Sequence, residues 1–501
     1  MSGEISEWLE TALRMAERRR KNVVGFRVVV EVDQSRIGEV LSELRRRNIT
    51  IIGNVENFIV VDLRDSSQLD EVKRIPGVVY ISYEKKFFPM ACGLDELFKR
   101  IAILTDPLLN KLSGSDLEKL GYHFKPAAEI PNPFRALIDN AQVLAEIASN
   151  PIKAMDYIKT AYPFGLPVLT RAPWRLVTYT RSLLGVPVDN YADIKVGVID
   201  TGVTPHPAVP PGSYELIMLT LDAPVDTMGH GMWTTSCAFG RATSLCRYGY
   251  FIPVSQAKNI VHVKVFSAFG PCSGYQVMKA MEICAKKGCR VVNMSLGGPL
   301  TEPVDKDPEC KLLDRLTTKY KTIFVVAAGN DDNTFEIGSP GAALKSLTVA
   351  ALDWAKKYRT SSYSSRGWQG RYYYKHKDAF DEHYENWGDI FLKPDCGGIG
   401  GDRKSQIVSA VTGWYDGMYD FVPDGWDLMI GTSMATPHVA GLVALAISTG
   451  KLPQDVDKIK DVLRTTTDGW IFGGKTMNGK SDEQGWGVFH WSRLNQKKGG
   501  G

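Results

Sequence analysis

Between residues 23 and 90 the apolar positions switch repeatedly between two periods. Phe26 to Val32 reads as a strand, and Ser35 to Arg47 places Ile37, Val40, Leu41 and Leu44 on one helical face. Two further strands, Ile49 to Ile52 and Phe58 to Leu63, precede a helix from Ser67 to Ile75 that Pro76 and Gly77 end. Val78 to Tyr83 is a last strand. The order β-α-β-β-α-β predicts a small α+β unit of the split, ferredoxin-like kind.

The flanks differ. Residues 1–22 form an N-terminal extension in which Ile5, Trp8, Leu9, Ala12 and Leu13 share one helical face. Residues 91–184 change character: Leu94 to Leu104, Ser115 to Leu120 and Asn132 to Ala161 have helical patterns broken by prolines, and none carries recognisable chemistry. This stretch is expected to be a helical linker or lid.

From Ile194 onward short apolar runs alternate with helical patterns. The runs are Ile194 to Ile199, Ile260 to Phe266, Arg290 to Leu296, Thr322 to Ala327 and Ser346 to Ala351. Between two of them, Ser273 to Lys287 is a helix with Val277, Ala280, Met281 and Cys284 inward and Gly288 at its end. Strands buried on both faces and joined by helices predict a parallel α/β sheet over residues 185–501. Ligand sites in such sheets lie at the carboxyl ends of the strands.

Composition narrows the function classes. The 501 residues are 44% hydrophobic and 23% charged, the pattern of a globular chain. A net charge of +4 argues against nucleic acid as the main partner. No run of about 18 apolar residues could span a bilayer. Residues 1–21 are charged and lack an apolar stretch, so no secretory leader is expected, and a cytoplasmic or particle-associated location is. Eight cysteines without a Cys-x-x-Cys pair give neither a disulfide scaffold nor a zinc site. Cys237 with Cys246, or Cys284 with Cys289, could pair in an oxidising compartment; otherwise these are small buried apolar residues.

The candidate chemistry lies in three segments. A strand ends in Val198-Ile199-Asp200-Thr201-Gly202, which places a carboxylate at the sheet's carboxyl end. Gly229-His230-Gly231 opens a helix, and its glycines allow close approach to the ring. Gly431-Thr432-Ser433-Met434-Ala435-Thr436-Pro437-His438-Val439-Ala440-Gly441 puts a serine at a helix start, where negative charge is favoured. A serine hydroxyl needs a base to take its proton, and the base needs an orienting carboxylate. Asp200, His230 and Ser433 supply those roles in a chain order known from subtilisin.

These segments resemble the subtilisin-like serine peptidases (subtilases) over roughly residues 194–450. Two further motifs belong to the resemblance. Val291-Val292-Asn293-Met294-Ser295-Leu296-Gly297-Gly298 matches the strand that binds substrate backbone in that family, and Val326-Ala327-Ala328-Gly329-Asn330 matches a wall of its specificity pocket. The resemblance implies Ser295, Leu296, Gly297, Ala327, Ala328 and Gly329 as substrate-binding residues and Asn330 as oxyanion donor. It implies hydrolysis of protein or peptide substrates without a required cofactor, with calcium as a structural ion. It also implies that residues 23–90 are a propeptide acting as intramolecular inhibitor, so that the chain is made as a zymogen.

The chain departs from the family pattern in places. Met232-Trp233 stands after the histidine where Thr-His is usual, and Lys393-Pro394-Asp395-Cys396 continues without the usual Ala-Pro. An aromatic, charged insertion occupies about residues 368–391, with His376 and His383 read as surface-loop residues. Asp331 and Asp332 are expected in a solvated loop, and His438 in a packing role. Two readings compete with an active endopeptidase: a non-catalytic interaction protein on a subtilase fold, and a particle-associated maturation component held through residues 91–184.

Overall fold

The computed structural model describes residues 3–19, 21, 23–92, 94–125, 138, 141–149, 181–187, 189–244, 250–267, 270–331, 337–367, 393–413, 424–474, 476–477 and 479–495. The 368–391 insertion, Asp332, Cys246 and most of the expected 132–161 helix lie outside these residues.

The N-terminal unit comprises β1 (Glu4–Ile5), α1 (Glu7–Arg18), β2 (Phe26–Val32), α2 (Ile37–Arg46), β3 (Thr50–Val55), β4 (Phe58–Leu63), α3 (Ser66–Lys73) and β5 (Val78–Tyr83). Its sheet has the order β1-β5-β2-β4-β3. Strands β2 to β5 pair antiparallel as the split pattern predicts, and β1 adds a short parallel edge through Glu4–Tyr80 and Ile5–Ile81. The described part of the N-terminal extension, residues 3–19, is therefore built into this unit. Ser6 caps α1 by accepting from the Leu9 N–H, and the helix buries Trp8, Leu9 and Ala12.

The alternation along β2 and β4 explains why these strands are apolar almost throughout. Val28, Val30, Ile59 and Val61 join a core with the unit's own helices. Val29, Phe58 and Val60 face the other way, into the core of the second unit. Both faces of the sheet are covered, so a polar face is missing from the pattern.

After β6 (Lys86–Pro89) come α4 (Leu94–Thr105), α5 (Gly114–Lys119) and α6 (Ala141–Ser149). Helix α4 packs on β6 and on α6.

The large unit contains β7 (Val196–Asp200), β8 (Tyr214–Met218), α7 (His230–Phe239), β9 (Ile260–Lys264), β10 (Cys272–Ser273), α8 (Gly274–Lys286), β11 (Val291–Met294), β12 (Leu296–Gly297) and α9 (Pro308–Tyr320). It continues with β13 (Ile323–Ala327), β14 (Leu347–Asp353), β15 (Arg359–Thr360), β16 (Cys396–Ile399), α10 (Thr432–Ser448) and α11 (Val456–Thr465). The main sheet runs β15-β14-β13-β11-β7-β9-β8, with β16 also on β14. Every pair is parallel except β14–β15. Helix α10 is buried almost end to end and packs on α7 and on the central strands. The seven described cysteines are free thiols, Cys284 and Cys289 included. Among the described residues no helix is long and apolar enough to cross a membrane.

Candidate active site

Strand β7 delivers Asp200 to the carboxyl end of the sheet, fully buried. Its Oδ1 accepts from the Thr201 N–H at 2.7 Å and faces His230 Nδ1 at 2.7 Å, while Oδ2 accepts from Thr234 Oγ1 at 3.0 Å. Both oxygens are thus fixed. A proton on Nδ1 is held by the carboxylate, which leaves Nε2 as the basic nitrogen, and Nε2 is buried without a hydrogen-bond partner.

Gly229 and Gly231 have separate reasons to be glycine. Gly229 precedes α7 at φ 108°, in the left-handed region. A Cβ on Gly231 would lie 2.3 Å from the Gly202 carbonyl oxygen, so the helix start and the turn after Asp200 touch through bare backbone.

Two supporting residues escaped the sequence reading. Asp226 is buried and accepts from the N–H groups of Met228, Gly229 and Met232 at 2.7–3.0 Å, capping the helix that carries His230. Burial pushes its pKa up against those bonds. His262 Nε2 accepts from the Gly202 N–H at 3.1 Å, and burial lowers the pKa of this histidine to about 4, so it stays neutral. The one legible sign of Asp226 was an Asp three residues before a glycine that opens a helix. His262 sits within an apolar strand and gave none.

Ser433 opens α10. Its Oγ donates to the Ser295 carbonyl at 2.7 Å, and Ser295 Oγ returns a bond to the Ser433 carbonyl at 2.9 Å. The hydroxyl is therefore bonded to Ser295 and not to His230, although α7 and α10 pack side by side. Asn330, at the end of the segment after β13, accepts from Thr432 N and Thr432 Oγ1 through Oδ1, at 2.9 and 2.8 Å. Its amide nitrogen is buried and has no hydrogen-bond partner. Ala327, Ala328 and Gly329 are buried on the approach to it. Asp331 is a loop residue that keeps partial exposure and pairs with Lys99 of α4 at 2.8 Å, where the helical segment covers this side of the site. His438 has the expected packing role, its Nδ1 lying 2.7 Å from the Met434 carbonyl. Burial lowers its pKa to about 4.

The N-terminal unit's tail occupies the site. Strand β6 lies between β10 and β12 and pairs antiparallel with both, through Phe87–Cys272, Pro89–Leu296 and Phe88–Gly297. The run continues with Met90 N donating to Ser295 O at 3.2 Å and Cys92 N to Ile430 O at 3.0 Å. Between them the Met90 carbonyl accepts from the Ser433 N–H at 3.1 Å. The positive end of the α10 dipole reinforces that bond. The Met90 side chain reaches Gly297, whose hypothetical Cβ would sit 2.8 Å from the methionine Cε. Phe87 enters the core formed with Leu296 and Leu300.

Among the described residues no group of three or more His, Cys, Asp or Glu side chains is placed to hold a metal.

Comparison with known proteins gives the family and the fold. Residues 192–487 match the model of the subtilase family, and the chain belongs to that family. It is 35% identical to pyrolysin of Pyrococcus furiosus over 243 residues, which cover 47% of this chain and 17% of pyrolysin. It is 26% identical to the serine protease AprX of Bacillus subtilis, over 58% of this chain and 66% of that one. The chain thus spans between a sixth and two thirds of these relatives. Among solved structures, the fold superposes on fervidolysin from Fervidobacterium pennivorans with a TM-score of 0.55 at 16% identity, covering 99% of this chain and 63% of that one. It superposes on the epidermin leader peptide processing protease from Staphylococcus aureus at 0.52 and 17% identity, covering 94% and 99%.

Proposed function

We propose that this chain is a serine endopeptidase made as a self-inhibited zymogen, and that Met90–Ala91 is the first bond it cuts. The observation that carries the reading is the Met90 carbonyl, which accepts from the Ser433 N–H while the Asn330 amide beside it is uncommitted. A carbonyl held so is polarised where negative charge would develop during attack.

In this reading Asp200, His230 and Ser433 are the catalytic triad. The Ser433 hydroxyl swings from Ser295 toward His230 Nε2, which takes its proton as Oγ bonds to the Met90 carbonyl carbon. The resulting oxyanion is met by the Ser433 N–H and the Asn330 amide. On collapse the Met90–Ala91 C–N bond breaks, and His230 returns the proton to the Ala91 amine. Water, deprotonated by the same imidazole, then releases the acyl-enzyme as the Met90 carboxylate. Ser295, Leu296 and Gly297 hold the backbone on the acyl side, and Ala327, Ala328 and Gly329 lead to the oxyanion donor. Residues 3–90 act as the inhibitor. By the same pairing, substrates from other proteins take an extended form with an unbranched apolar residue at the Met90 position.

The test is the intact mass of the purified chain beside its Ser433→Ala variant. The expected result is a fragment ending at Met90 from the wild type alone. If both chains stay full length under conditions that keep them folded, the site is a non-catalytic scaffold.

A further inference from the structure

The segment that follows Met90–Ala91 turns back over the inhibitor instead of leaving the site. Successive residues of a strand point opposite ways. Phe87 goes into the large unit's core, so Phe88 should face solvent. It is 1% exposed, because α4 lies over β6 and shares a core with it through Leu97, Phe98 and Ile101.

The same segment holds both units. Toward the large unit, Phe98 and Ile101 reach the loop at Gly270, where a Cβ would lie 3.7–3.9 Å from them. Lys99 Nζ donates to Asp331 Oδ1 at 2.8 Å, next to the oxyanion residue, and to the His123 carbonyl at 2.7 Å. Toward the N-terminal unit, Leu108, Leu109, Leu117, Leu120 and Tyr122 belong to the core that contains Trp8 and Tyr83. Four polar bonds among the described residues fix that side: Trp8 Nε1 to the Leu120 carbonyl at 2.8 Å, Tyr83 OH to Asp106 Oδ2 at 2.5 Å, Arg19 Nε to Asp116 Oδ2 at 2.8 Å and Arg19 Nη2 to Ser113 Oγ at 2.6 Å.

We propose that residues 94–122 are a lock: after Met90–Ala91 is cut they keep the inhibitor seated, and the site opens only when this segment lets go of the N-terminal unit. The inference rests on the reading that Met90–Ala91 is the bond cut. A product tail held only by β-pairing would leave as the N-terminal unit dissociates. Here that unit is also anchored to the chain beyond the cut, so the two contacts must open together. Each raises the effective concentration of the other.

The test follows two clocks on the full chain. Intact mass reports the cut, and labelling of Ser433 by a fluorophosphonate reports the opening of the site. In the wild type, labelling is expected to lag far behind the cut. In Arg19→Ala/Leu117→Ala, and separately in Phe98→Ala, the cut still occurs and labelling of the cut protein speeds up by about tenfold or more, as loss of one buried side chain allows. Appearance of the 1–90 fragment shows that a variant has folded, and if one fails to fold the other decides. Labelling in step with the cut in the wild type, or no acceleration in the folded variants, overturns the lock. Absence of any cut in the wild type defeats the Met90–Ala91 reading instead. In that case the labelling rate of the uncut chain with and without Phe98→Ala still decides the lock.

Discussion

The backbone N–H of Ser433 and the carbonyl oxygen of Met90 lie 3.1 Å apart, which in the proposed function puts an internal peptide bond in the place of a substrate's reacting carbonyl. In the proposed function the second donor is Asn330, whose Oδ1 is engaged by Thr432 while its Nδ2 has no hydrogen-bond partner. That division of labour predicts the effect of Asn330→Ala. Turnover of a peptide substrate by the freed enzyme falls by about 10²–10³, with KM little changed, because the bond strengthens only as charge develops. Steady-state kinetics check this; an equal loss in KM and none in kcat would mean that Asn330 only binds the ground state.

Phe87 is the tail's main apolar anchor, fully buried among Leu296, Leu300 and Cys272. Phe87→Ala should weaken docking of the N-terminal unit by about 3 kcal/mol. Native mass spectrometry of the cut protein would then show faster loss of the 1–90 fragment.

Much of this was legible in the sequence, for physical reasons that differ by element. The strands of the large unit, such as Val291–Met294 and Ile323–Ala327, are buried on both faces and read as unbroken apolar runs. Tyr214–Met218 did not, because it is a half-exposed edge strand, and Cys396–Ile399 is half glycine. Of the candidate site residues, Ser433 stood in a specific local motif, whereas Asp200 and His230 were weak alone and Asn330 was named only through the family resemblance. The place of Met90 was not. It depends on β6 entering between β10 and β12, pairings with residues about 185 and 207 positions away that leave no local signature. Asp226 and His262 act on the backbone around the site and carry no periodic signal.

The interface between the two units should respond to pH. Tyr80 OH donates to Glu302 Oε2 at 2.7 Å, and burial pushes Glu302 up to about 8. Beside it Lys85 is enclosed by Asp307 and Glu309, and burial raises Glu309 to about 7 despite that lysine. Both carboxyl groups belong to the large unit and are covered by the N-terminal one. A carboxyl whose pKa is higher when covered takes up a proton on docking at neutral pH. Docking is therefore strongest at acid pH, down to the ordinary carboxylate range, and weakens as pH rises through 7 to 8. Loss of the 1–90 fragment from the cut protein should be faster at pH 9 than at pH 6, and Glu302→Gln should flatten that profile. Equal rates at both pH values would refute the assignment.

Asp395 makes the last prediction, since it lies in the segment that departs from the family pattern. It is fully buried and surrounded by Lys393 at 2.7 Å and by Lys460 and Lys480 at 3.4 Å each. Burial alone would raise its pKa, but the three lysines outweigh that and hold it below the usual carboxylate range. The same burial lowers Lys393 to about 7. Asp395 thus faces three lysines at once, with Asp314 acting on Lys393 and Lys460 as well, and the positions are not equivalent. Asp395→Asn removes the carboxylate that lies within 3.4 Å of all three ammonium groups and should cost about 3–5 kcal/mol. Lys393→Met removes the most heavily desolvated cation and leaves Asp395 two partners, so its cost should be clearly smaller. Urea midpoints of the uncut Ser433→Ala chain carrying either substitution give the comparison without interference from self-cutting. A larger loss for Lys393→Met would show that its bonds to Ser346 and Thr348, at 3.0–3.1 Å, matter more than the charge balance.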